Sequence, residues 1–218
     1  MGNAAPPPSL RARAATVAID NEVLLPPTTC SVFAGEIVAV RGPNGSGKTT
    51  LLRACAGLVP LSDGALAVHG QAPQPLDASF RSALAVLIGS PPLARDLTLG
   101  EHLELVALSW NDSAAKAAAR AVDILDQMGL GALVNRFPHE LSSGQQQLFA
   151  LCLTLIRPST VLVLDEPEQR LDADRRAVLA AILRDRAAAG TAVLMATHSS
   201  ELVRDSGART VQLGAMGA

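Results

Sequence analysis

Three glycines, a lysine and two threonines stand together in GPNGSGKTT (residues 42–50), directly behind the apolar run EIVAV (36–40). A strand that ends in a glycine-rich turn and opens a helix turns several backbone N–H groups into one hollow. There the positive end of the helix dipole favours an anion. Gly42, Gly47, Lys48 and Thr49 satisfy the GxxxxGK[ST] spacing, in which amides cradle phosphates, the lysine reaches the β and γ oxygens and the hydroxyl binds Mg²⁺. Pro43, Asn44, Gly45, Ser46 and Thr50 complete the loop. Of the 18 basic residues, Lys48 and Lys116 are lysines and the other 16 are arginines, a bias that GC-rich codon usage explains. Lys48 stands out against that bias, because a compact ammonium fits between phosphates where a planar guanidinium is bulkier.

A second constellation is VLVLDEP (161–167), an apolar strand ending in two adjacent carboxylates. A carboxylate left there without a partner costs several kcal/mol (roughly), so a cation or water network is expected beside it. Asp165 is the expected Mg²⁺ holder, through water, and Glu166 the expected base for a water attacking a γ-phosphate. The alternative is a strand that ends in solvated acids before a proline. LSSGQQQ (141–147) is a serine-glycine cluster opening a helix whose Leu148, Phe149, Cys152, Leu155 and Ile156 form its buried face. A plain helix N-cap explains those serines; a second phosphate clamp is the functional reading. In ATHSSEL (196–202), His198 follows one strand as Thr49 follows another. Both are then expected at the sheet's C-terminal edge, where ligands collect. His69, His102 and His139 lack such a context and read as structural.

The elements that must position these residues follow from apolar patterning. EIVAV (36–40), ALAVLI (83–88), TVLVL (160–164) and TAVLMA (191–196) are short, β-branched runs bounded by Gly, Pro or charge. They predict strands of a mostly parallel sheet buried on both faces. Leu51, Leu52 and Cys55 predict a helix after the first loop, stopped by Gly57. Asp172 is the expected N-cap of another, with Val178, Leu179, Ile182 and Leu183 buried and Gly190 as its stop. Residues 98–157 carry helical spacing without a convincing strand. Thr16 to Ile19, Val23 to Leu25 and Ser31 to Phe33 predict antiparallel strands separated by turns, with Pro26-Pro27 leaving their boundaries open. The fold class is therefore α/β: a P-loop NTPase core with a mostly parallel sheet, an N-terminal antiparallel β region and an inserted α-helical subdomain at about 90–157.

A chain of 218 residues, 49% hydrophobic and 17% charged, holds one domain with a substantial core, aliphatic because aromatics reach only 2%. Residues 1–14 are expected as a flexible tail and 15–218 as the folded domain. A net charge of −2 gives no reason to expect nucleic acid as a partner. Three cysteines without CxxC pairing argue against a disulfide framework or zinc site and suit a reduced, cytosolic setting. No uncharged apolar stretch reaches the length of a membrane helix, and the N-terminus lacks a signal-peptide core.

Taken together, the loop at 42–50, LSSGQ at 141–145, the acidic strand at 161–166, Leu171-Asp172 and His198 resemble the nucleotide-binding subunit of ATP-binding-cassette (ABC) transporters across roughly residues 15–213. The resemblance implies ATP and Mg²⁺ as cofactors, ATPase activity, and two such subunits sandwiching two ATP molecules. Each nucleotide then lies between one subunit's phosphate loop and the other's helix tip. Ser142, Ser143, Gly144 and Gln145 would form that tip, Leu171-Asp172 the dimer-contact loop, and His198 a γ-phosphate contact. It further implies a separate transmembrane subunit, and a place at the cytoplasmic face of the membrane. Two departures stand out. The family's glutamine ahead of LTLGEHL is replaced by Gly89-Ser90-Pro91, and its adenine-stacking aromatic is missing, since there is no tyrosine and Phe33 alone precedes Gly35. Aliphatic packing or the plane of Arg11 or Arg13 are the substitutes on hand. The signature also carries Ser143-Gly144 where the family has two glycines. The alternative functions are a degenerate nucleotide-binding partner or a non-transport nucleotide switch; a small-molecule kinase lacks LSSGQ and the later motifs.

Overall fold

The computed structural model describes residues 6–20 and 22–214. In chain order the elements are β1 (Leu10–Ile19), β2 (Glu22–Val32), β3 (Ile37–Arg41), α1 (Lys48–Cys55), β4 (Asp63–Val68), α2 (Ala78–Ala83) and β5 (Leu84–Leu87). They continue with α3 (Leu99–Ser109), α4 (Ala114–Gln127), α5 (Ser143–Leu155), β6 (Val161–Asp165), α6 (Ala173–Ala188), β7 (Ala192–Ala196), α7 (Ser200–Ser206) and β8 (Arg209–Gln212). Two sheets result: an antiparallel one ordered β2-β1-β4 and a parallel one ordered β5-β6-β7-β3-β8.

The parallel sheet takes its register from its apolar runs. Val38 pairs with Leu194, and Val163 pairs with Val86 and Leu194. Burial on both faces leaves no polar alternation, as the continuous runs required. Residues alternate between two cores: Ile37, Ala39, Leu162, Leu164, Val193 and Met195 face the cluster that contains α3 to α6. Val38, Val40, Val161, Val163 and Leu194 face the one under α1 and the antiparallel sheet. The expected stops hold too. Gly57 (φ 72) and Gly190 (φ 97) end α1 and α6 in the left-handed region, and the Asp172 side chain accepts from the Arg175 amide at 2.9 Å.

Three expectations change. Residues 10–14, expected in a flexible tail, belong to β1, and Leu10 and Ala12 are fully buried against β2 and β4; residues 1–5 of that expectation lie outside the described residues, as do 215–218. The turn expected between Leu25 and Ser31 is absent, and β2 runs through Pro26-Pro27 as one strand. Pairing moves from Ala15 with Thr28 to Val17 with Leu25, so one extra residue of β2 is accommodated at the prolines. The strand lies at the sheet's edge, where missing N–H groups cost no ladder bond. Val178, expected in the buried stripe of α6, is 40% exposed, while Leu179, Ala180 and Leu183 carry the contact. Between β5 and β6 the regular elements are helical, α3 to α5 among them.

Candidate functional site

β6, β7 and β3 are adjacent and parallel, so the loops that follow them emerge at the same edge. Those loops carry Asp165 and Glu166, His198, and residues 42–50 respectively. The glycine-rich loop needs its glycines. Gly45 and Gly47 hold φ of 79° and 91°, and a Cβ on Gly47 would stand 2.7 Å from the Leu24 carbonyl oxygen. A Cβ on Gly42 would stand 2.7 Å from the Leu213 oxygen. Gly47 also caps α1, with no side-chain cap and no acidic residue in the first turn. The first amides of α1 thus have no capping side chain and no carboxylate from their own first turn.

Lys48 is 8% exposed. Its Nζ donates to the carbonyls of Gly42 and Pro43, both at 2.9 Å, which curls the ammonium back over the loop. Ser46 Oγ is buried without a hydrogen-bond partner, on the side of the loop that faces Gly42. Thr49 Oγ1 donates to Asp165 Oδ2 at 2.8 Å, tying the start of α1 to the end of β6.

Glu166 occupies the left-handed region (φ 45), where a non-glycine residue is strained. Two bonds hold it there: its N–H donates to the Ala196 carbonyl at 2.9 Å, and its own carbonyl accepts from the Gln169 amide at 3.0 Å. The kink swings its carboxylate out of the sheet ladder to within 3.6 Å of His198 Nε2. Gln169 Nε2 donates to the same carboxylate at 3.3 Å.

A hollow of about 440 Å³ lies over the loop, lined by Asn44, Gly45, Gly47, Lys48, Thr49 and Thr50. Glu166 closes one side, and Glu22 and Leu24 of β2 another. Arg11, Arg13 and Phe33 are not among its lining residues, so the wall next to the loop is aliphatic and acidic rather than aromatic. A roomier hollow of about 490 Å³ sits among Ala54, Val59, Leu66 and Pro73, has no titratable side chain in its lining, and has no part in this chemistry.

Ser142, Ser143, Gly144 and Gln145 are not among the residues lining that hollow. They form the tip of α5, closed by a capping box: the Ser142 hydroxyl accepts from the Gln145 amide at 3.3 Å, and Gln145 Oε1 accepts from the Ser142 amide at 2.9 Å. The N-cap reading of the serines therefore holds. Gly144 packs on the loop after β6, where an added Cβ would be 3.0 Å from the Arg170 carbonyl. Ser142 and Ser143 are exposed.

Sequence reasoning missed Glu168 and Arg41. Glu168 Oε1 accepts from Thr197 Oγ1 and from the amides of His198 and Ser199. Arg41 donates to the His198 carbonyl and the Ser200 hydroxyl, each at 3.2 Å. Their partners are 29 to 31 residues away for Glu168 and 157 to 159 for Arg41. The signal on hand for Glu168 was a third acid in DEPE (165–168).

Triphosphate chemistry fits the residues present. The loop offers glycine amides and a lysine for phosphate oxygens, and the Thr49–Asp165 pair offers hard oxygen donors of the kind Mg²⁺ takes. Among the described residues, no group of three or more His, Cys, Asp and Glu gathers elsewhere as a metal site.

Residues 25–169 match the ABC transporter family. The chain is 36% identical over 83% of its length to a Streptomyces avermitilis putative ABC transporter ATP-binding protein, of which it spans 32%. It is 37% identical over 82% of its length to the thiamine import ATP-binding protein ThiQ of Cereibacter sphaeroides, of which it covers 77%. Its fold matches the solved dimeric structure of a bacterial ABC transporter cassette with a TM-score of 0.82, at 23% identity over 94% of both chains. With the loop, the acidic strand end and the histidine turn arranged as above, the chain belongs to the ABC transporter family, as an ATP-binding subunit and ATPase.

Proposed function

We propose that this chain hydrolyses ATP as one half of a nucleotide sandwich that drives a separate transmembrane subunit. The observation that carries the reading is a division of labour. Lys48, Thr49 and Glu166 line one hollow, with Asp165 bonded to Thr49 and His198 3.6 Å from Glu166, while the Ser142 tip of α5 stays exposed outside it. A triphosphate in that hollow leaves its outer face open, and the tip of a second copy or a close relative supplies helix-terminal donors to it.

In this reading residues 42–50 bind the phosphates through backbone amides, and Lys48 exchanges its two carbonyl contacts for β and γ oxygens. Thr49 and Asp165 would hold Mg²⁺, which would supply positive charge beside the phosphates. Glu166 accepts a proton from the attacking water, and His198 contacts the γ-phosphate from the same subunit. Ser142, Ser143, Gly144 and Gln145 act across the dimer, next to the Leu171-Asp172 contact loop. The folded chain from Leu10 onward acts as one ABC-type domain, within which the helical subdomain of about 90–157 moves as the dimer closes and opens.

Among the described residues no helix is long and apolar enough to cross a membrane, so transport requires a partner that does. The chain then sits at the cytoplasmic face, held by that partner. Closing the dimer on ATP and reopening it after hydrolysis is the stroke delivered to the partner.

Glu166→Gln tests the assignment. It keeps shape while removing the base, so ATP should still bind and an ATP-dependent dimer should accumulate on size exclusion. Hydrolysis should fall by about 10²- to 10⁴-fold. Wild-type turnover in that variant rejects Glu166 as base. A second reading, a partner that binds ATP but scarcely cleaves it, is favoured by the aliphatic wall at Leu24 and by Gly89-Ser90-Pro91 in place of the glutamine. ATPase rates of the wild-type chain, alone and with its membrane partner, separate the two.

A further inference from the structure

The turn that carries His198 is clasped from both sides. On its N–H side, Glu168 Oε1 accepts from the Thr197 hydroxyl at 2.5 Å and from the His198 and Ser199 amides at 3.2 and 3.3 Å. On its carbonyl side stands the Arg41 guanidinium. Thr197 is fully buried, and its Oγ1 also accepts from the Ser199 amide at 3.0 Å, so hydroxyl, carboxylate and amides form one network.

Glu168 belongs to the same short loop as Glu166. The Leu171 amide donates to the Glu168 carbonyl, and the Gln169 amide to the Glu166 carbonyl. Buried Pro167, with its φ fixed, lies between the two glutamates. One rigid segment therefore holds the Glu166 carboxylate and grips the backbone of His198. The 3.6 Å between Glu166 Oε1 and His198 Nε2 is set through that segment rather than by the sheet alone. A neutral hydroxyl at residue 168 would accept more weakly, since ionised acceptors make bonds roughly twice as strong.

We propose that Glu168 is a positioning residue for hydrolysis, which fixes the His198 turn against Glu166. This rests on the reading of His198 as a γ-phosphate contact. A substitution at 168 should leave nucleotide binding at the glycine-rich loop alone, because Glu168 touches none of residues 42–50 among the hydrogen bonds above. It should lower turnover, because a misplacement of even about 1 Å at a reacting centre costs up to about 10²-fold in rate.

The test is a double-mutant cycle on the full chain, with steady-state MgATP hydrolysis and the thermal midpoint as readouts. Glu168→Ala should lower kcat by about tenfold, with KM within about twofold, and Tm should fall as the buried Thr197 hydroxyl and two amides lose their acceptor. His198→Ala should lower it at least as much, and the double variant should be no slower than His198→Ala alone. Glu168→Gln keeps a carbonyl acceptor and should recover part of the lost turnover. Should the alanine variant not fold, Glu168→Asp, which withdraws the oxygens by one methylene, takes its place in the cycle. The proposal is overturned if Glu168→Ala turns over like wild type beside a crippled His198→Ala, if the two losses multiply, or if Gln recovers nothing. A fully active His198→Ala gives a different pattern and removes the histidine assignment itself.

Discussion

Lys48 shows how one residue combines burial with chemistry. The residue is 8% exposed, and its Nζ donates to the carbonyls of Gly42 and Pro43 in the loop itself. A phosphate replaces those contacts with charge-assisted ones, each about 1.5–3 kcal/mol. Lys48→Ala should therefore weaken ATP binding by about 10- to 10²-fold, measured by titration calorimetry. Lys48→Arg should not restore it, since a planar fork does not fit a space closed by two carbonyls. The glycine-rich loop, Asp165, Glu166 and His198 were legible in the sequence because each stands at the end of an apolar run, where spacing alone places it at the sheet edge. Glu168 was not, because what makes it matter is the Thr197–Ser199 turn, 29 to 31 residues away, which no local pattern reveals. The left-handed kink at Glu166 was equally hidden: the motif specifies a carboxylate, and the bonds to Ala196 and Gln169 specify its aim.

Helix starts are where this chain spends its polar side chains. Thr98 caps α3 in a full capping box with Glu101, as Ser142 and Gln145 do for α5. Such a box answers two amides that the helix itself leaves unpaired. Thr98→Ala should lower global stability by about 1 kcal/mol, read from urea unfolding at neutral pH. The pH dependence of that difference has a fixed sign. Hydrogen bonds from the Thr98 backbone and side chain lower the Glu101 pKa below its ordinary value of 4.5. Its contribution is thus complete above that value and lost as pH falls through the lowered folded value. The gap between wild type and Thr98→Ala should narrow on acidification through that window; a gap that widens contradicts the assignment. Helix caps are short-range and were readable at Asp172 and in LSSGQ. The course of β2 was not: Pro26-Pro27 leaves the strand boundaries open locally, and only its position at the sheet edge lets the strand pass through.

At the scale of the whole molecule, the parallel sheet makes two cores into one. Along β3, β6 and β7 successive residues face opposite clusters: Ile37 and Ala39 look toward α3 to α6, Val38 and Val40 toward α1 and the antiparallel sheet. Neither cluster can lose its packing without exposing the back of the other's strands, so the helical insert is not an independent folding unit. Its α5 contributes Leu148, Leu151 and Cys152 to the same cluster as Leu162 and Met195. Three buried thiols report on both sides, with Cys152 in the first cluster and Cys30 and Cys55 in the second. Burial raises the pKa of each, which removes the thiolate that alkylating reagents need. All three should therefore resist iodoacetamide in the folded chain at pH 8. Across a urea series, labelling of Cys152 should rise at the same midpoint as labelling of Cys30 and Cys55, and with loss of the helical circular-dichroism signal. If Cys152 labels at clearly lower urea than the other two, α3 to α5 unfold ahead of the sheet, and the shared strands do not couple the cores.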